Sequence, residues 1–182
     1  MPDAEIYRLD QLASGPERDR ILGEIDGIFF ESSARQSFAS EAQRAKFRER
    51  WLGRYLTHFP HFAFVARAPA GRIVGYVVGS VGDPAHDPLF ADLAFFQGFG
   101  ALTARYPAQL HVNLDAGWRG QGLGARLVET FADAARVAGA PGVHVVTGRG
   151  MRNAGFYERN GFAELGALDV DGRTLVFLGR AL

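Results

Sequence analysis

Arg119-Gly120-Gln121-Gly122-Leu123-Gly124 places three glycines within five positions, between a strand-like run from Leu110 to Leu114 and an amphipathic helix. Glycines do nothing for a core. Lacking a Cβ, they let the backbone take unusual φ values and bring its amides close to a ligand, and the N-terminus of the following helix adds a partial positive charge. Such a turn binds phosphate; read in isolation, the same glycines also suit a plain tight turn. No Lys-Ser/Thr pair follows the last glycine, so the loop is not a Walker A P-loop. Its G-x-G-x-G spacing also lacks the last step of the dinucleotide G-x-G-x-x-G pattern. Nucleotide hydrolysis and Rossmann-type redox chemistry are therefore disfavoured.

Further along, Asn153-Ala154-Gly155-Phe156-Tyr157-Glu158-Arg159-Asn160-Gly161-Phe162 reads as a short helix that ends in Asn-Gly and hands over to an apolar strand. With both segments in view the chain resembles the GNAT acetyltransferase superfamily. Arg119, Gly122 and Gly124 match that family's (Arg/Gln)-x-x-Gly-x-(Gly/Ala) signature, and Asn153, Phe156-Tyr157 and Gly161-Phe162 match its second signature in spacing and order. The likeness runs from about Phe62 to the C-terminus, and the two motifs together are far more specific than either alone. Tyr106 to Leu114 is also similar to bacterial acetyltransferases related to the acetyltransferase-like domain attached to protein O-GlcNAc hydrolases. The resemblance implies an acetyl-CoA-dependent N-acetyltransferase that moves an acetyl group to a primary amine by direct attack in a ternary complex. The alternative it leaves open is a CoA-binding module that kept the fold without catalysis.

Under that resemblance the cofactor-contacting residues are Val112, Asn113, Leu114, Arg119, Gly120, Gln121, Gly122, Leu123, Gly124, Ala125, Asn153, Phe156 and Tyr157. The amides of the loop and the helix dipole hold the pyrophosphate, with Arg119 or Arg126 adding charge. The pantetheine arm runs beside Val112 to Leu114, where this strand splays from its neighbour. The amide of Leu114 is the oxyanion donor. Tyr157 is the acid: a phenol of pKa about 10 is protonated at pH 7 and can return a proton to a thiolate of pKa about 8.5 or above. Asn153 contacts the pantetheine, caps its helix, or does both.

The base is harder to place. His111, Asn113 and Asp115 alternate along the strand and so share a face. Family members often carry a glutamate near the start of this strand, yet Pro107-Ala108-Gln109 offers no carboxylate. His111, with an ordinary pKa near 6.5, is the first choice, and Asp115 or a water relay are the alternatives. On the acceptor side Phe29, Phe30, Phe38, Trp51, Phe90, Phe95, Phe96 and Phe99 are available, as are Glu31, Asp87 and Asp92 for a cationic amine; all of them also suit ordinary core or surface roles. With no cysteine, no H-E-x-x-H helix and no ligand spacing among the histidines, no metal is expected.

The elements that must position these groups are legible. Leu123, Leu127, Val128, Phe131, Ala134, Ala135 and Ala138 repeat at helical steps, stopped by Gly139 and Pro141-Gly142 before the strand-like Val143-His144-Val145-Val146. Upstream, Glu5 to Leu9 reads as a strand and residues 16–31 and 40–58 as helices, with Pro16 suited to a first helical turn. His61 to Arg67 and Arg72 to Val81 read as a hairpin turned at Pro69-Ala70-Gly71, residues 82–105 as broken helix, and Phe162 to Val170 with Arg173 to Leu178 as a hairpin around Asp171-Gly172. The expected fold is α/β, mixed α+β: a GNAT domain over residues 1–182 with a twisted, mostly antiparallel sheet of six to seven strands, splayed between strands 4 and 5, and four or five helices.

Composition fits one such domain: 182 residues, 47% hydrophobic, 22% charged, with 20 basic and 20 acidic residues cancelling. Zero net charge gives no nucleic-acid footprint, and the partner expected is a small-molecule or protein amine. No apolar run reaches about 18 residues and the first residues are acidic, so neither membrane span nor signal peptide is expected. The chain is placed in the cytoplasm, as monomer or homodimer.

Overall fold

The computed structural model describes residues 3–12 and 14–182. The strands are β1 (Glu5–Arg8), β2 (Ala63–Arg67), β3 (Ile73–Ser80), β4 (Ala108–Leu114), β5 (Gly142–Gly148), β6 (Ala163–Val170) and β7 (Arg173–Ala181). The helices are α1 (Leu9–Leu12), α2 (Gly15–Ser32), α3 (Glu41–Arg48), α4 (Arg54–His58), α5 (Phe95–Gly98), α6 (Gly100–Thr103), α7 (Leu123–Val137) and α8 (Ala154–Arg159). The strand order is β1-β2-β3-β4-β5-β7-β6. Pairing is antiparallel in β1–β2, β2–β3, β5–β7 and β6–β7 and parallel in β4–β5, the expected mixed, mostly antiparallel α/β sheet. The β4–β5 ladder is carried by Ala108 with Val143 and Gln109 with His144, whereas β4 itself runs on to Leu114.

The residues group into two compact units, each made of separated stretches of chain. One comprises the segment up to Gly79 with His111–Phe131, the other Ser80–Leu110 with Ala132–Leu182. In the first, α2 buries Ile21, Ile25, Ile28 and Phe29 along one face, and β3 is buried along its whole length. Burial on both faces explains why Ile73 to Ser80 reads as a nearly continuous apolar run rather than an alternating one.

The helix expected over residues 40–58 is interrupted. Ser40 caps α3 by accepting from the Gln43 amide at 3.2 Å, but Glu49–Gly53 form a π turn before α4 begins. One inserted residue shifts everything after it around the axis. From the end of the turn into α4, Leu52, Gly53, Arg54, Tyr55 and Leu56 are consecutively buried, which no regular amphipathic stripe produces.

In the second unit β7 pairs with β5 from Gly142↔Ala181 to Gly148↔Leu175 and with β6 through a tight hairpin. Asp171 and Gly172 both have positive φ, 49° and 74°, the requirement of the two-residue turn that Asp-Gly signals. Residues 82–105 resolve into a 3₁₀ turn at Pro88–Phe90 and the single turns α5 and α6. They deliver Phe90, Phe96 and Phe99 to this unit's core, where Phe99 packs on Phe177 and Phe96 stands edge-on to His144. Those three rings are core residues, the ordinary role the sequence also allows them.

Candidate active site

The glycine loop enters α7 with Gly120 at φ 74° and Gly122 at φ 82°. A Cβ built on either would meet no atom within 4 Å, so these positions need glycine for backbone conformation and not for packing, and the space beside them is open. The first helical bond of α7 is Arg126 N–H to Gly122 O at 3.1 Å, and the amides of Leu123, Gly124 and Ala125 precede it without an acceptor inside the helix. No acidic side chain sits in the first turn to compete for them. Amides at the head of a 15-residue helix, with open space before them, suit the pyrophosphate of CoA.

Side chains brace the loop. Gln121 Nε2 donates to Gly117 O at 2.9 Å, and Arg119 donates to Leu114 O through Nε at 3.1 Å and Nη2 at 3.0 Å, with Nη2 also reaching Ser32 Oγ at 3.1 Å. Arg119 therefore ties the end of β4 to the loop through a carbonyl. Arg126 pairs with the exposed Asp3, a contact weak enough to yield to a phosphate.

Midway along β4, His111 lies among aromatic groups of its own unit. Tyr55 Oη is 3.1 Å from His111 Nε2, and the rings of Tyr55 and Trp51 stand edge-on to the imidazole at 5.1 Å and 5.8 Å. Burial, with the positive charge of Arg54 adding to it, pushes the His111 pKa down to about 4. The expected imidazole titrating near 6.5 is thus replaced by one that stays neutral at pH 7. It is available as a proton acceptor at every physiological pH but is a weaker base.

Asn113 Nδ2 donates to Tyr76 Oη at 2.8 Å. Asp115 does not extend the alternation of His111 and Asn113, because β4 ends at Leu114. It caps the turn Ala116–Trp118 by accepting from Gly117 N at 2.9 Å and bonds Arg72 Nη1 at 2.8 Å. The Arg72 bond first, and the Gly117 amide with it, hold its carboxyl below the usual range against some desolvation. A carboxylate so engaged makes a poor base. Gln109, where a glutamate would be looked for, is buried in the other unit.

Tyr157, Asn153 and Phe156 belong to that other unit. Tyr157 is 4% exposed, edge-on to Phe156 at 5.1 Å and Phe162 at 5.4 Å. Asn153 stands at the N-terminal position of α8 without forming a side-chain cap; its Oδ1 instead accepts from Thr147 Oγ1 at 2.9 Å. In the first unit Phe29, Phe30, Phe38 and Phe47 form a ring cluster beside a groove of about 440 Å³, lined among others by Phe30, Glu31, Phe38 and Arg44. Arg44 lies over Phe30 at 3.7 Å. Tyr55 and Tyr76 escaped the sequence reading as site residues. Nothing in the local pattern marks a buried tyrosine as a partner of a side chain far along the chain.

Among the described residues no group of three or more His, Cys, Asp or Glu is placed to hold a metal ion, and no helix is long and apolar enough to cross a membrane. Residues 60–164 match the acetyltransferase (GNAT) domain family. The fold is similar to that of SsHAT, at 26% identity, 99% of this chain, 98% of that chain and a TM-score of 0.73. It is also similar to the NatC complex bound to Gag peptide and CoA, at 14%, 99%, 99% and 0.63 in the same order. A mutant agmatine N-acetyltransferase in its apo form gives 17%, 99%, 100% and 0.67. The family match takes in β4, the glycine loop, β5 and the Asn153–Phe162 motif, and with more than half of its length matched this chain belongs to the GNAT acetyltransferases.

Proposed function

We propose that the protein transfers the acetyl group of acetyl-CoA to a primary amine by direct attack within a ternary complex. The observation that carries this reading is the head of α7: two glycines at positive φ, open space beside them, and three amides with no helical acceptor and no acidic residue in the helix's first turn. Acetyl-CoA, when bound, supplies an acyl group activated as a thioester. The amides of Gly120 to Ala125 hold the pyrophosphate, and the edge of Val112 to Leu114 pairs with the pantetheine together with Asn113. Asn153, through its side-chain amide, and the ring of Phe156 are further cofactor contacts that the family resemblance implies.

The Leu114 N–H donates to the oxygen on which charge develops. His111 takes the proton of the attacking amine, and Tyr157 returns one to the departing thiolate, for which a phenol of pKa about 10 is suited. The acceptor is a small-molecule or protein amine; similar folds act in a complex bound to a peptide and in an agmatine acetyltransferase. The enzyme works in the cytoplasm as a monomer or homodimer, without metal, nucleic acid or membrane.

A second reading, a CoA-binding module without catalysis, draws on the acceptor side: His111 is a weakened base and Asp115 is tied to Arg72. Two measurements separate them. Thiol release from acetyl-CoA across a panel of small amines and N-terminal peptides supports transfer. Binding of acetyl-CoA, seen by calorimetry, with no thiol released over the whole panel supports the module.

A further inference from the structure

A neutral imidazole carries one N–H, so His111 offers a lone pair on Nδ1 or on Nε2 but not on both. Its Nε2 is 3.1 Å from Tyr55 Oη, and Tyr55 has no exposed surface, so this nitrogen faces the interior while the ring as a whole is only half-buried. If Nε2 accepted the phenol hydrogen, the ring proton would sit on Nδ1 and no lone pair would remain for a substrate. If Nε2–H donates to Oη, Nδ1 is the proton acceptor.

We propose that Tyr55 is a positioning residue: its Oη accepts the Nε2–H of His111 and fixes the tautomer whose Nδ1 lone pair takes the acceptor amine's proton. The inference rests on His111 as the base. The step balances. The amine nitrogen bonds the acetyl carbon as the carbon–sulfur bond breaks and the thiolate leaves with the proton that Tyr157 returns; the amine N–H bond breaks, its electron pair stays on the nitrogen, and the proton lands on Nδ1. The resulting imidazolium keeps its Nε2–H on Tyr55 and then releases the Nδ1 proton to water. The arrangement is the one by which any imidazole base is oriented, a hydrogen bond to one nitrogen leaving the other free to react.

Local structure explains how Tyr55 arrives there. Trp51 lies within the π turn Glu49–Gly53 and Tyr55 on α4 just past it, and the two rings contact the imidazole edge-on at interplanar angles of 78° and 63°. A π turn inside a helix often marks a functional position. Here it brings a ring contact and a hydrogen-bonding hydroxyl to one histidine.

Nitrogen-15 NMR of histidine-labelled protein at pH 7 tests the proposal. The expected spectrum shows His111 Nε2 protonated and Nδ1 bare. Tyr55→Phe keeps the ring and removes only Oη; both nitrogens should then move toward shifts averaged over two tautomers, and kcat should fall about 10-fold or more with the acceptor KM unchanged. A wild-type spectrum with Nε2 bare refutes the proposal without any variant, and so does a Tyr55→Phe protein with the wild-type tautomer and kcat. Full activity in His111→Gln overturns the base reading itself, whichever tautomer the spectrum shows.

Discussion

Replacing Gly122 by valine separates the conformational role of the loop from its ligand role. At φ 82° an L residue is costed at about 1–2 kcal/mol. At about 2–4 °C per kcal/mol for a chain of this size, the free protein should melt about 2–8 °C lower. Acetyl-CoA at 100 times its Kd stabilises the native state by about 2.7 kcal/mol, a rise of about 5–11 °C in the wild type. In Gly122→Val that rise should vanish, because the new side chain fills the space that is empty to 4 Å around the glycine. Gly71 is the matched control: it has φ 86°, is equally open, and lies in the turn between β2 and β3. Gly71→Val should lose similar stability and keep the full ligand-induced rise. Differential scanning fluorimetry with and without millimolar acetyl-CoA reads all six melting points, for the wild type and the two variants. Equal rises in both variants would remove the loop from the phosphate site.

His111 makes stability depend on pH: with a folded pKa of about 4 against an ordinary 6.5, the unfolded chain takes up a proton that the folded chain refuses. Stability is complete above pH 6.5 and declines as the pH falls toward 4, and denaturant titrations should find this decline reduced in His111→Gln. The acidic limb of the rate profile should correspondingly lie near 4, and a limb at 6 to 7 would contradict the placement of His111. Tyr157→Phe removes one hydroxyl from a buried ring, so acetyl-CoA affinity should hold while turnover falls on the order of 10²-fold; unchanged kcat would mean that another acid serves. The two compact units are each discontinuous in the chain, and we expect one cooperative unfolding transition for the whole; two resolved transitions by circular dichroism and fluorescence would divide the domain.

The elements carrying strong periodicity or explicit stop signals were legible to within a few residues. The stripe on α7, the apolar run of β3 and the Asp171-Gly172 hairpin each follow from local chemistry: a 3.6-residue repeat, burial on both faces, and a turn with two positive φ values. The π turn at Glu49–Gly53 was not legible, since an inserted residue in a helix has no propensity of its own. The end of β4 at Leu114 was likewise hidden, because Asp115 continues the alternation in sequence while its side chain turns to cap Gly117.

The sequence by itself determined the glycine loop, the proposed cofactor side of this protein. Its loop is built from backbone amides and glycine φ values, which are properties of consecutive residues and so are written locally in Arg119 to Gly124. Only the tertiary structure decided the surroundings of His111 and Asp115, on the proposed acceptor side. The proton affinity of His111 depends on its burial and on Arg54, its hydrogen bond depends on Tyr55, and Asp115 is neutralised as a base by Arg72. Each of these partners is distant along the chain, and electrostatics and desolvation act through space, so no spacing of letters records them.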